Sequence, residues 1–192
     1  MTTTASDSPG YSVESYFGLV TSGDLAADDR VELLEGVIVA EPPQEPRHAS
    51  AIMRLDEAVR AAMGKRAVVR VQLPFIAGPF SAPEPDLAIV PGSPGDYDGQ
   101  HPSAAVLVVE VADASLPQDR LSKQRIYAAA DCLEYWIVNL RDDCVEVYRE
   151  PDVAGSRYTE RRVAHSGDAL DLVAFPDVHV SVTDLLPARA VR

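Results

Sequence analysis

Residues 104–112 read Ala-Ala-Val-Leu-Val-Val-Glu-Val-Ala, an almost unbroken apolar run that contains one carboxylate, Glu110. Continuous apolar runs of this length are typical of central strands that are covered on both faces. A buried carboxylate without a partner is costly, or it takes up a proton. Because Glu110 lies near the C-terminal end of the run, we expect this strand end to open into a cleft.

A second carboxylate, Asp86, stands at the start of another short apolar strand, which reads Asp-Leu-Ala-Ile-Val. If the two strands are antiparallel neighbours, the start of one meets the end of the other, and Asp86 and Glu110 converge at one rim of the sheet. Two carboxylates in oxygen-rich surroundings suit a hard divalent cation such as Mg²⁺. The alternative, favoured for an isolated pair of acids, is a surface Asp after a proline turn and a Glu paired with an arginine.

The segment that follows the Glu110 strand has the pattern of a helix from about residue 118 to 130. Asp119, Lys123 and Tyr127 are spaced four residues apart and therefore lie on one stripe of this helix. A helix that folds back here would bring Lys123 over the rim that carries Glu110. The alternative is an ordinary i, i+4 ion pair between Asp119 and Lys123. The residues of this helix that we predict to face the core are Leu121, Ile126 and Ala130.

The order of elements along the chain predicts an α/β or α+β fold with a mixed β-sheet. We expect a single domain over residues 11–187, a flexible N-terminal tail at 1–10 and a C-terminal tail at 188–192. The other predicted elements are a helix from Ser12 to about Leu19, strands on both sides of Glu35-Gly36, a helix from Arg47 to Met63, an edge strand before Pro74, strands in EYWIVNL and CVEVYRE, and strands near Tyr158–Val163 and Ala169–Leu172.

Composition narrows the class of function. The 192 residues include 30 acids and 17 bases, for a net charge of −13. This charge argues against a protein that grips nucleic acid mainly through a basic surface, but not against an enzyme that reaches phosphates through metal ions. Gly-x-Ser-x-Gly, Walker and G-x-G-x-x-G motifs are absent from the sequence, which disfavours α/β-hydrolase, P-loop and dinucleotide-binding chemistry.

The cellular location is predicted from two features, the length of the apolar runs and the composition of residues 1–10. No run is long enough for a transmembrane helix, and residues 1–10 have neither the charge nor the apolar core of a signal peptide. We therefore expect a cytoplasmic protein without a membrane partner. Its two cysteines, Cys132 and Cys144, would be reduced thiols.

Several stretches together resemble a known family. The series VELLEGVIVAEPP, PRH, PEPDLAIV, VLVVEVADAS and QDRLSKQRIYAAADCLEYWIV looks like the Uma-type restriction endonucleases of bacteria, which belong to the PD-(D/E)XK nuclease superfamily. The resemblance runs from about Tyr11 to Leu186. It implies a restriction-endonuclease-like core, in which a mixed sheet is flanked by helices.

The resemblance assigns roles to the acids and the lysine identified above. The Pro-Asp element of the superfamily falls on Asp86 and the second acid on Glu110, but the usual lysine two residues later is replaced by Ala112. In the Uma-type family the lysine stands on the following helix, in a D-x-x-x-K-x-x-x-Y arrangement. Asp119, Lys123 and Tyr127 match this arrangement, so Asp119 and Tyr127 are accessory site residues by resemblance.

Two further candidates rest on the resemblance alone. The early acidic element of the family falls on Glu32, in Val31-Glu32-Leu33, and its Arg-His at a helix start falls on Arg47-His48. Without the resemblance, Glu32 would be interpreted as a solvent-facing strand residue. His48 would be interpreted as a polar residue at a helix N-terminus.

The resulting prediction is a metal-dependent endonuclease that hydrolyses DNA phosphodiester bonds. Asp86, Glu110 and the Val111 carbonyl would bind Mg²⁺ or Mn²⁺, Lys123 would position water or phosphate, and Glu32 would bind or orient a second metal ion. The rival is a nuclease-fold module for binding or assembly without turnover, which the charge of −13 favours. Assembly as a homodimer is left open.

Overall fold

A six-stranded mixed β-sheet forms the centre of the computed structural model, which describes residues 10–26 and 28–188. Most of each predicted tail, residues 1–9 and 189–192, lies outside the described residues. The strands of this sheet are β3 (Val68–Arg70), β4 (Leu87–Val90), β5 (Leu107–Ala112), β6 (Glu134–Asn139), β7 (Cys144–Asp152) and β8 (Arg157–His165). They are adjacent in chain order, and every neighbouring pair is antiparallel except β5–β6, which is parallel. The predicted mixed sheet is therefore confirmed.

Strand β5 is buried along its whole length, as its apolar sequence predicts. Because β5 and β6 are parallel, the chain must cross over between them. It does so through α3 (Leu116–Gln118), a π-helical segment (Asp119–Lys123) and α4 (Gln124–Ala129). The crossover begins only a few residues after β5, so its first turns lie beside the C-terminal end of that strand.

The crossover differs from the regular helix predicted for it. The Gln124 N–H donates to the Asp119 carbonyl, a bond to the fifth residue back that defines a π turn. Asp119 and Lys123 both face inward across this turn. Leu121, between them, is therefore turned outward and is 70% exposed, so its predicted place in the core is wrong. Ile126 is buried, as predicted.

Two longer helices flank the sheet system. In α1 (Val13–Ser22), Ser12 is the N-cap, and its Oγ accepts from the Ser15 N–H at 3.1 Å. The second helix is α2 (Pro46–Met63), which ends before Gly64. Its apolar residues recur every three or four positions and form the buried stripe predicted from the sequence. The buried residues of α2 are Ala51, Ile52, Leu55, Val59 and Met63.

Two small antiparallel sheets complete the fold. In the first, β1 (Val31–Leu34) and β2 (Val37–Ala40) are joined by Glu35 and Gly36, whose positive φ angles of 49° and 83° are those of a tight hairpin turn. The second pairs β9 (Ala169–Leu172) with β10 (Phe175–Ser181), which leads into α5 (Val182–Leu185). Strand β10 was not predicted, because Pro176 and Asp177 interrupt its alternating pattern.

Each face of the central sheet is covered by its own apolar layer. Val109 faces the layer formed with α2, β9, β10 and α5. Val108 faces the layer formed with the crossover helices. No described helix is long and apolar enough to cross a membrane. Both cysteines are buried free thiols.

Candidate active site

The antiparallel pairing of β4 and β5 brings Asp86 and Glu110 to the same rim of the sheet. Leu87 pairs with Val109, so one further step of the same register places Asp86 opposite Glu110. Both side chains are buried and line one cleft of about 310 Å³. Burial raises the pKa of Glu110, and the negative charge of Asp86 adds to that rise.

Asp86 is held by hydrogen bonds from the neighbouring strand and from the segment before β4. Its Oδ2 accepts from the Val111 N–H at 2.8 Å, and its Oδ1 accepts from Gln72 Nε2 at 3.3 Å. Burial raises the pKa of the carboxyl, although His48, Val111 and Lys123 act in the opposite direction. The ionised form of Asp86 is therefore expensive in this position unless a cation is nearby.

Glu110 receives two hydrogen bonds on one carboxyl oxygen. Lys123 Nζ lies 3.0 Å and the Tyr127 hydroxyl 2.6 Å from Oε1, so neither bond uses Oε2. Burial, reinforced by the neighbouring acids, raises the pKa of Glu110 well above its ordinary value. Tyr127 is itself fully buried. Its hydroxyl therefore has Glu110 as a fixed acceptor.

Lys123 reaches the rim from the π segment and joins two strands. Its Nζ lies 3.0 Å from Glu110 Oε1 and 3.1 Å from Glu32 Oε2, and the residue is 6% exposed. Burial alone would lower the pKa of the ammonium. The acids around it, Glu110 and Glu32 first, outweigh burial and raise that pKa well above the ordinary value. Lys123 therefore stays charged.

Glu32 lies on β1 and points into the same cleft. It is 2% exposed, so the interpretation of this residue as a solvent-facing one is wrong. Besides Lys123, its Oε2 accepts from the Glu84 N–H at 3.3 Å. The β1–β2 hairpin thus forms one wall of the cleft through Glu32.

His48 approaches the rim from the first turn of α2. Its Nε2 lies 2.7 Å from the Val111 carbonyl oxygen and 3.7 Å from Asp86 Oδ2. Its Nδ1 has no hydrogen-bond partner among the described residues. The Val111 carbonyl is therefore already hydrogen-bonded, but a carbonyl oxygen has a second lone pair for another ligand.

Asp119 is the remaining predicted residue in the cleft. It is buried at the start of the π segment, and its Oδ2 has no hydrogen-bond partner among the described residues. Burial raises its pKa to about 6, while Lys123 and Ser115 act in the opposite direction. The side chains singled out from the sequence therefore line one cleft, except that of Tyr127, which is fully buried and reaches the site only through its hydrogen bond to Glu110.

Sequence reasoning missed Glu84 and Gln72. Burial, followed by the charges of Glu41 and Glu32, raises the pKa of Glu84 to about 7. Its position two residues before Asp86 was the available signal, since alternate residues of an extended segment share a side. The acids that line the cleft are Glu32, Glu41, Glu45, Glu84, Asp86, Glu110, Asp113 and Asp119.

The oxygen donors at the rim fit a hard cation that takes only a few of its ligands from the protein. No group of three or more His, Cys, Asp or Glu side chains is arranged to hold a metal ion within residues 10–26 and 28–188. Asp86, Glu110 and the Val111 carbonyl nevertheless offer two carboxylates and a main-chain oxygen at one rim. Mg²⁺ is commonly bound through only one or two carboxylates, with water and phosphate completing the shell.

Comparison with known proteins identifies the family and agrees with the fold. Residues 14–183 match the Uma2 family, described as "Putative restriction endonuclease". The crystal structure of a putative nuclease of DUF820 from Anabaena variabilis ATCC 29413 has the same fold, with a TM-score of 0.69 and 18% identity, and the match covers 91% of this chain and 97% of that one. No curated protein matches the chain. Because the family match spans most of the sequence and the fold agrees, the chain belongs to the Uma2 family of restriction-endonuclease-like proteins.

Proposed function

We propose that the chain is a metal-dependent endonuclease that hydrolyses phosphodiester bonds of DNA. The observation that carries the proposal is the meeting of Asp86, Glu110 and Lys123 in one cleft, where both acids are buried and have raised pKa values. Perturbed acids that share a cleft with a buried lysine are typical of catalytic sites. The family and the nuclease fold support the same class of reaction.

Asp86, Glu110 and the Val111 carbonyl would hold Mg²⁺ or Mn²⁺. A bound divalent cation supplies a more acidic water and neutralises charge on the scissile phosphate. The Oε2 of Glu110, which neither Lys123 nor Tyr127 uses, is the atom of that carboxylate best placed to bind it. In this proposal Glu32 helps to hold a second ion.

Lys123 would orient the attacking water or a phosphate oxygen. Two of its three N–H bonds are directed at Glu110 and Glu32, which leaves one for a substrate atom. The Tyr127 hydroxyl also fixes the Glu110 carboxylate, by donating to the same oxygen, Oε1. His48 would orient the Val111 carbonyl through its Nε2–H, so Tyr127 and His48 are positioning residues.

A cleavage assay tests the proposal directly. The purified chain would be incubated with supercoiled, linear duplex and single-stranded DNA in Mg²⁺, Mn²⁺ or EDTA. We expect cleavage of at least one DNA form with metal only, and its loss in Asp86→Asn and Glu110→Gln. Glu57→Gln is the matched control, because Glu57 is an exposed acid on α2. Equal cleavage by Asp86→Asn and the parent would refute the proposed site.

The second candidate is a nuclease-fold module that binds without turnover. The observation that favours it is the excess of acids in the cleft, eight against Arg30, His48 and Lys123, since such a surface repels phosphates. This candidate predicts metal binding without cleavage of any of the three DNA forms. A thermal melt in Mn²⁺ beside the cleavage assay therefore distinguishes the two functions.

A further inference from the structure

Strand β8 forms one long edge of the central sheet, and no strand within the described part of the chain pairs with its outer side. It is the last strand in the sheet order, has nine residues, and contains no proline. Residues 159–163 in its middle are all exposed. The opposite edge, β3, has only three residues. An exposed edge of this length is a template for pairing with another strand, and proteins usually shorten or cover such edges.

Some main-chain N–H and C=O groups of β8 point away from β7. The His165 N–H donates to Asp168 Oδ2 at 2.8 Å, and the His165 carbonyl accepts from the Asp168 N–H at 2.9 Å. His165 therefore does not use these groups to pair with β7. Main-chain groups alternate in direction along an antiparallel strand, and the register between residues 160 and 165 is uninterrupted. The N–H and C=O groups of Arg161 and Val163 must also point outward.

Two exposed charges flank Arg161 on this edge. Glu160 and Arg162 are both exposed, and neither forms an ion pair with any described residue. Arg161, in contrast, lies 2.9 Å from Glu146 Oε2, and its guanidinium stacks over the Tyr148 ring at 5.7 Å. The charge of Arg161 is thus held over its own sheet, while the charges on either side of it lack a partner.

We propose that β8 is a homodimer interface, in which it pairs antiparallel with β8 of a second copy about a two-fold axis at Arg161. In this register the two copies of Arg161 lie opposite each other and exchange two main-chain hydrogen bonds. This arrangement agrees with the outward direction of the Arg161 N–H and C=O groups. Glu160 of each copy then lies directly opposite Arg162 of the other. The pairing therefore forms two equivalent ion pairs from charges that no described residue of the single chain pairs, and it is independent of the proposed function.

The neighbouring two-fold registers are disfavoured by charge. A shift of the axis by one residue toward the N-terminus places Glu160 opposite Glu160 of the second copy. A shift by one residue the other way places Arg162 opposite Arg162. Like charges directly across two strands are destabilising, whereas opposite charges stabilise the pair. The charges of this edge therefore favour the register at Arg161 over its two immediate neighbours, and their self-complementarity points to a second copy of the chain as the partner.

Charge reversal tests the interface, with mass measured by sedimentation equilibrium. We expect the parent to form a dimer of the 20.7 kDa chain. Glu160→Arg or Arg162→Glu alone creates two like-charge pairs and should weaken the dimer roughly 10-fold or more. The double variant Glu160→Arg/Arg162→Glu should restore it. The two single variants, when mixed, should form a heterodimer, since each then faces the opposite charge.

Arg54→Glu and Glu57→Arg are the matched controls, because they make the same charge changes at exposed positions on α2. Both should leave the parent association unchanged. A parent that stays monomeric up to about 1 mM, where the association free energy would be only ~4 kcal/mol, overturns the proposal. So does a dimer whose strength the edge variants and their mixture do not change. Thermal melts of all variants confirm that each is folded.

Discussion

Among residues 10–26 and 28–188, Lys123 is the one buried cation, and it neutralises acids of the cleft. Its ammonium lies within 3.1 Å of both Glu110 and Glu32, and Asp86 and Asp119 also raise its pKa. Removing one partner of a buried ion pair leaves an uncompensated charge, which usually costs more than the pair itself contributes. The lysine is therefore required for the folded cleft, whether or not it takes part in a reaction.

We expect Lys123→Met to be destabilised by roughly 3–5 kcal/mol and to cleave DNA about 10²–10⁴-fold more slowly at saturating metal. Stability falls because Glu110 and Glu32 are left without a cation. The rate falls because a positioned hydrogen-bond donor is lost. Urea denaturation measures stability, and single-turnover kinetics measure the rate.

Glu32→Gln in the Lys123→Met background separates the two effects. It removes one of the uncompensated acids and should recover part of the stability without restoring the rate. Lys65→Met, at an exposed lysine, is the control for loss of charge. Recovery of both stability and rate in the double variant would mean that Lys123 is only a counter-charge.

The sequence predicted these site residues for two different physical reasons. Glu110 was found because a carboxylate within an apolar strand has no ordinary structural role, and Asp86 because antiparallel pairing would bring it to the same rim. The pairing Leu87–Val109 confirms that geometry. Gln72 could not be found in this way, since it lies in an irregular segment where no periodicity fixes the direction of its side chain. For Glu84 the one signal was its position two residues before Asp86, which places both side chains on one side of an extended segment.

At the scale of elements, the π segment sets the direction of two site residues. Across Asp119–Lys123 the helix makes a wider turn, and both of its end residues face the cleft while Leu121 faces solvent. On the outer side, Arg120 forms an ion pair with Glu146 of β7. The segment is therefore held from two sides, toward the rim by Lys123 and toward β7 by Arg120.

Deletion of Leu121 should convert the π turn into a regular α-helical turn. Because the site residues on the two sides of the deletion would rotate relative to each other, we expect metal-dependent cleavage to fall about 10²-fold or more, the usual effect of a misplacement near 1 Å. Cleavage assays and circular dichroism provide the measurements. The control is Leu121→Ala, because it removes the side chain but keeps the chain length. It should behave like the parent.

Element positions were easier to predict than element geometry. The buried stripe of α2 and the hairpin at Glu35-Gly36 follow from local periodicity and turn chemistry. The π turn leaves no periodic signal within five residues, and the inward position of Leu121 was predicted wrongly for that reason. Strand β10 was missed because Pro176 breaks its alternation, and in the structure Pro176 lies in the irregularity between Phe175 and His179 where the pairing with β9 shifts register.

For the whole molecule, the cleft acids and Glu146 have opposite effects on the pH dependence of stability. Hydrogen bonds from Arg120 and Arg161 overcome burial and lower the pKa of Glu146 to about 2. Its contribution to stability is present above the unfolded pKa of about 4.3 and is lost as the pH falls toward 2. Burial raises the pKa of the cleft acids, to about 6 for Asp119 and about 7 for Glu84.

Between about pH 4 and pH 7, the cleft acids whose pKa is raised bind more protons in the folded state than in the unfolded state. The free energy of unfolding must therefore decrease as the pH rises through that window. We expect the metal-free protein to be most stable near pH 4–5 and to lose stability toward pH 7. Urea denaturation in EDTA at each pH measures this profile.

Mn²⁺ should reverse most of that loss, because it binds the ionised carboxylates of the native state only. The midpoint of a thermal melt in millimolar Mn²⁺ should therefore rise more at pH 7 than at pH 5. Glu84→Gln removes an acid with a pKa of about 7 and should flatten the metal-free profile above pH 5, whereas Glu57→Gln should not. A metal-free stability that increases steadily from pH 4 to pH 7 would show that the cleft acids are ionised in the folded protein, and that Lys123 alone compensates their charge.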